Sequence, residues 1–234
     1  MHYNSTTLSY DIDLSRSEYN RWRTVIKNES KTAKALVREV AKDFENIPWA
    51  LRKLITGAYK TLGGLYVEEM SAWSDALDIE LSDMVMFQCS YELTQLSSSL
   101  GLCTAGIRSI PGKGLFHFRT LDWPLKNIGK ATRRFKLKNR THGAIIVGIV
   151  GHIGALSGMV PGRYSVALNY AEQTQRPSLR SIGPTYLLRD TLESCNTYKK
   201  AVSYLKNEPL FANAFFTVSI GSDIYTNLMP ALPP

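Results

Sequence analysis

The sequence predicts an α+β protein. Three observations carry this. The first hundred residues repeat apolar side chains at the helical period, strand-like runs follow from about residue 103, and helical patterns return before a last strand. With 234 residues, 44% hydrophobic and 21% charged, the chain is long enough to bury a core as one or two domains.

Each element has its own signal. From Arg16 to Phe44, Trp22, Val25, Ile26, Ala33, Leu36, Val37 and Val40 recur near the 3.6-residue period and predict one long helix. Pro48 suits the first turn of a second helix carrying Trp49, Leu51, Leu54, Ile55 and Tyr59. Gly63-Gly64 interrupts it, and a helix resumes from Tyr66 to Leu77. After a break at Asp78–Glu80, Ser82-Asp83 is read as the cap of another helix running through Tyr91 to Leu96. The small residues Ser97-Ser98-Ser99-Leu100-Gly101 then lead into Leu102-Cys103-Thr104-Ala105. A strand beginning at Cys103, the turn Pro111-Gly112-Lys113-Gly114 and the strand Leu115–Arg119 read as a hairpin. Further strands are expected at Ala144–Val150, Tyr164–Asn169 and Phe215–Ile220, and helices at Thr185–Leu192 and Tyr198–Lys206.

Charge divides the chain. Residues 1–102 carry 11 Lys and Arg against 14 Asp and Glu, and residues 103–234 carry 17 against 6, within a net charge of +8. The two segments neutralise each other on contact, or the basic one meets an anionic lipid surface. Nucleic acid is not expected as a partner, because no finger, RNP or helix-turn-helix signature accompanies the charge. Cys89, Cys103 and Cys195 and the four histidines show no metal-ligand spacing, so neither metal nor cofactor is expected. Gly148, Gly151 and Gly154 beside His152 do not match a phosphate-binding loop and read as bends between strands. No apolar run is long enough to span a membrane, and the first residues do not read as a signal peptide.

Chemistry centres on Cys103. A thiol that becomes the first residue of a new chain has its own α-amino group, of ordinary pKa near 7.7–8.0, within reach as the base, so no histidine is needed. Arg119, sixteen residues on, ends a strand that the hairpin returns toward Cys103, and Asp122 follows in Arg119-Thr120-Leu121-Asp122. A guanidinium favours negative charge on sulfur, and a carboxylate orients an ammonium. The plain alternative is a buried cysteine and a surface Arg–Asp pair.

Cys103-Thr104, the hairpin and Arg119-x-x-Asp122 resemble the acid ceramidase and N-acylethanolamine acid amidase family, relatives of bile-salt hydrolases and penicillin V acylases. Tyr10–Leu14 with Tyr19-Asn20-Arg21-Trp22, Glu68-Glu69-Met70, Ser90-Tyr91-Glu92-Leu93, Arg163–Val166 and Leu192–Gly221 run parallel to it as well. The resemblance implies an N-terminal-nucleophile αββα four-layer sandwich, here incomplete, preceded by a helical propeptide or α-chain. It implies self-cleavage between Leu102 and Cys103, giving an α-chain 1–102 and a β-chain 103–234 that stay together as a heterodimer. Residues 103–221 would then be the first part of the catalytic domain and 222–234 an unmatched, unstructured tail. By the same resemblance Cys103 is the nucleophile, Arg119 and Asp122 are its charged neighbours, and Asn169 falls where bile-salt hydrolases place an oxyanion-hole asparagine; a turn residue closing a strand is the other reading of Asn169. The implied substrate is a fatty-acyl amide lipid drawn from a membrane met peripherally. A non-catalytic lipid-surface or protein-binding module is the alternative. The implied compartment is lysosomal for an animal protein with a further leader, and cytoplasmic or exported for a bacterial one.

Overall fold

The computed structural model describes residues 7–61, 64–92, 102–112, 114–123, 125, 128–139, 141–172 and 181–220. The α+β class is what it contains: a six-stranded sheet, a two-stranded hairpin and helices. The expected tail at 222–234, the linker 97–101 and the end of the helix at Leu96 lie outside the described residues.

The large sheet has the order β1 (Ser9–Asp13), β4 (Thr132–Lys138), β5 (Gly143–Ile149), β6 (Ser157–Val160), β7 (Tyr164–Tyr170), β8 (Ala214–Ile220). β1 lies parallel to β4, and the other neighbours are antiparallel. β2 (Leu102–Ile110) and β3 (Gly114–Asp122) make the separate antiparallel hairpin. Its turn uses Gly112 at φ 73, a left-handed conformation that glycine adopts without a Cβ clash.

β1 corrects the wholly helical reading of the first hundred residues, because the N-terminal segment contributes an edge strand to the sheet built by the second half. The single helix expected from Arg16 to Phe44 is two, α1 (Glu18–Arg21) and α2 (Arg23–Asp43), broken at Trp22. Trp22 is buried, donates its indole N–H to Glu69 and meets Phe135 edge-on, and these partners fix the break. α3 (Trp49–Thr61) follows Pro48 as expected, and α4 (Val67–Leu77) ends at Asp78 with φ 51. α5 (Leu81–Gln88) starts two residues earlier than the expected cap: Glu80 is its N-cap, and Ser82 is buried inside it. A short α6 (Ile128–Ala131) precedes β4, and α7 (Pro184–Ser194) and α8 (Tyr198–Asn207) match the later helices.

Strand alternation defines the layers. In β7, Tyr164 donates to the Thr191 and Cys195 carbonyls of α7 and its end, while its neighbour Ser165 bonds His117 of β3. Successive side chains point to opposite faces, so the sheet carries helices on one face and the hairpin on the other. The helical side holds the core, with Phe135, Leu137, Ile146, Tyr164, Val166 and Leu168 all nearly inaccessible. Burying each such side chain contributes about 1.5–3 kcal/mol. Gly151, at φ 81, lets the chain leave β5 against α2, where an added Cβ would stand 3.1 Å from the Ala33 Cβ. Gly151 and Gly154 therefore shape the bend after β5, as read from the sequence, whereas Gly148 is not a bend and lies within β5 opposite Arg133.

Ion pairs join the two unequally charged segments. Glu69 on α4 accepts from both terminal nitrogens of Arg189 on α7, at 2.6 and 2.8 Å, and from Arg21 at 3.0 Å. Glu29 binds Arg133, and Asp11 binds Lys138. Each of these except Arg21–Glu69 crosses from residues 1–102 to residues 103–234, so part of the charge asymmetry is neutralised between them.

Candidate active site

The hairpin register explains how two residues sixteen apart meet. Cys103 lies opposite Leu121 and Ala105 opposite Arg119, so Arg119 is the diagonal neighbour of Cys103 on the same face. A long side chain spans that diagonal, and Arg119 Nη2 donates to Cys103 Sγ at 3.4 Å. Its Nε donates to the Leu168 carbonyl of β7 at 3.0 Å. One guanidinium thus ties the sulfur to the large sheet. Burial pulls the Arg119 pKa down from its ordinary value, and the adjacent Cys103 works against that shift.

Asp122 pairs in register with Leu102, the residue before Cys103. It is exposed at the rim, and its charge acts on Arg119. Asn169 stands on β7. Its amide is satisfied when Oδ1 accepts from the Ala105 backbone N–H at 3.1 Å and Nδ2 donates to the Leu168 carbonyl at 3.3 Å. In that arrangement Asn169 fastens β2 to β7 two residues from Cys103.

A cleft of about 340 Å³, counting the space at its mouth, opens over these groups. It is lined by Cys103, Arg119, Asp122 and Trp123, together with Tyr91, Leu121, Leu156 and Tyr170. Three of the four sequence-derived site residues share it, and Asn169 lies beside it. Trp123 is on the wall and packs edge-on to His152, ring centroids 6.5 Å apart. Sequence reasoning missed Tyr91, Leu121, Leu156 and Tyr170. Tyr91 lay in a segment carrying the family resemblance and Tyr170 beside Asn169, whereas Leu156 gave no signal. Among the described residues, no group of three side chains is placed to hold a metal ion.

The arrangement presents a thiol, a cation donating to its sulfur and a carboxylate at the rim of a largely apolar cleft. This set suits nucleophilic attack on a carbonyl carbon. No family model matches the chain. Among individual proteins it is 22% identical to an acid ceramidase of Balaenoptera acutorostrata scammoni over 240 residues, covering 88% of this chain and 59% of that protein. It is 25% identical to an N-acylethanolamine-hydrolyzing acid amidase of Oryctolagus cuniculus, covering 85% of this chain and 57% of that one. Among solved structures, a Caenorhabditis elegans N-acylethanolamine-hydrolyzing acid amidase ortholog aligns with a TM-score of 0.38 at 22% identity, over 52% of this chain and 55% of that one.

The fold and the site define an α+β protein with a cysteine–arginine pair at the start of a hairpin. The chain is homologous to the acid ceramidases and N-acylethanolamine-hydrolyzing acid amidases, the family its sequence resembles. It spans about three fifths of the length of the curated relatives it matches.

Proposed function

We propose that the chain is the precursor of a cysteine amidase that cuts itself between Leu102 and Cys103 and then hydrolyses a fatty-acyl amide of the ceramide or N-acylethanolamine type. The observation that carries this reading is the 3.4 Å contact of Arg119 with the Cys103 sulfur inside a cleft. The names of the homologues support amide hydrolysis as the reaction class.

In maturation the Cys103 sulfur attacks the Leu102 carbonyl carbon. The S–C bond forms as the peptide C–N bond breaks, and the nitrogen takes the thiol proton to become the free amine of Cys103. Water hydrolyses the Leu102 thioester and releases the carboxylate. In turnover the same amine takes the thiol proton, sulfur attacks the substrate amide, the amine of the substrate leaves protonated, and water cleaves the acyl thioester. Arg119 stabilises negative charge on sulfur, and Asp122, paired in register with Leu102, holds the new ammonium. Asn169 takes the oxyanion if its amide turns from the Leu168 carbonyl toward the cleft. Residues 1–102 and 103–234 remain together as a heterodimer.

The test is hydrolysis of a fatty-acyl aminocoumarin amide by the purified protein. Release of aminocoumarin that disappears in Cys103→Ala is the expected result. Equal rates in both proteins would contradict the mechanism.

One observation favours a second reading, a lipid-surface module without catalysis. Trp49, Leu51 and Leu54 on α3 are 61%, 45% and 68% exposed, beside Arg52 and Lys53. Leu51 and Leu54 share one face of α3, and such exposed apolar side chains beside cations suit the interface of an anionic bilayer, with Arg52 and Lys53 also paired to Asp83 and Glu80. Under this reading, binding to phosphatidylserine vesicles falls in Trp49→Ala with Leu54→Ala and is unchanged in Cys103→Ala.

A further inference from the structure

A two-stranded sheet does not hold its own shape in water, and the hairpin β2–β3 carries both Cys103 and Arg119. Among the described residues it hangs on β7 through three polar ties. Arg119 Nε donates to the Leu168 carbonyl at 3.0 Å, and the Ala105 N–H donates to Asn169 at 3.1 Å. The third is away from the cleft: His117 Nδ1 lies 2.7 Å from Ser165 Oγ. His117 and Arg119 are two residues apart, so they share the inward face of β3, one pleat from each other.

The facing surface of β7 offers little else to fix the hairpin. Tyr164, Val166 and Leu168 point to the helical layer, which leaves Ser165, Ala167 and Asn169 on the hairpin side. These small and polar side chains give a poor apolar grip, so directional bonds set where β3 lies. Ser165 is 4% exposed, and His117 Nε2 is buried without a hydrogen-bond partner among the described residues. Burial lowers the His117 pKa and keeps the ring neutral, with one N–H. An N–H left unpartnered costs more than a bare acceptor, so the proton belongs on Nδ1, where it is donated to Ser165.

We propose that His117 is a positioning residue, whose bond to Ser165 fixes β3 on β7 and thereby keeps the Arg119 guanidinium on the Cys103 sulfur. The inference deepens the amidase reading and rests on it for the role of Cys103, but the geometry it invokes exists in the uncut chain.

The experiment therefore does not rely on turnover. Alkylation of Cys103 by iodoacetamide at pH 7 is followed by site-resolved tandem mass spectrometry. Cys89, whose thiol pKa burial pushes up, serves as the slow internal control. Losing the bond should move Arg119 off the sulfur and slow alkylation by about threefold to tenfold in both His117→Leu and Ser165→Ala, the scale of one hydrogen bond. The double variant should be no slower than the slower single one. His117→Asn, which restores a donor where Nδ1 stood, should react within twofold of the unsubstituted protein, and that rescue separates the bond from simple packing of the ring. Unsubstituted rates in both single variants, or His117→Asn as slow as His117→Leu, would overturn the proposal. A protein that neither cuts itself nor hydrolyses amides removes the amidase reading and leaves this measurement intact.

Discussion

Arg119 makes two commitments at once, to the Cys103 sulfur and to the Leu168 carbonyl, and only a fork of several donors can keep both. Lysine carries the same charge on a single point. Arg119→Lys should fold normally yet slow self-cleavage at least tenfold, read from the time course of fragment appearance. Glu92 raises a different question at this scale. Its carboxylate is buried against Gly183, the N-cap of α7, and neither oxygen has a hydrogen-bond partner among the described residues. Desolvation raises its pKa from an ordinary 4.5 to about 7. A raised carboxyl favours the folded state fully below its unfolded value, and that contribution is lost as pH climbs from 4.5 through 7. Glu92→Gln should remove this loss, gaining up to about 3 kcal/mol relative to the native residue at pH 8 and little at pH 4. Urea unfolding at the two pH values measures it. An equal difference at both would mean that burial of the charge is not what matters.

At the scale of elements, Gly151 is the sharpest test of how β5 meets α2. An alanine there must hold φ near 81 and place its Cβ 3.1 Å from Ala33. Gly151→Ala should cost about 1–3 kcal/mol in unfolding free energy by chemical denaturation. Much of the element order was legible in the sequence, because long periodic helices and a turn such as Pro111–Gly114 signal locally. β4 was not. Its residues Thr132-Arg133-Arg134-Phe135-Lys136-Leu137-Lys138 look like a charged loop until Phe135 and Leu137 are seen to face the helices while Arg134, Lys136 and Lys138 alternate with them and Arg133 pairs with Glu29. β1 and the break at Trp22 were also hidden, since both depend on partners far along the chain, β4 for one and Glu69 for the other. The site shows the same division. The placing of Arg119 beside Cys103 followed from hairpin arithmetic, but Leu156 and the ties to β7 are long-range contacts that no local pattern announces.

At the scale of the whole molecule, the boundary between residues 102 and 103 runs through the core. The Glu69–Arg189 pair, fully inaccessible on both sides, spans it. Breaking a buried pair by removing one partner costs about 3–5 kcal/mol when the other charge is left uncompensated, and a loss toward the lower end is expected here because Arg189 keeps Glu193 at 2.7 Å. Glu69→Ala should show that loss in urea unfolding. In a cleaved protein it should also let the two halves part on size-exclusion chromatography under conditions where the unsubstituted halves co-elute. The most direct test of the central claim is the intact mass of the purified protein after incubation at pH 4.5 and at pH 7. Two fragments divided between Leu102 and Cys103, absent in Cys103→Ala, are the expected result. A single uncut chain at both pH values, or cleavage that persists in Cys103→Ala, would contradict it.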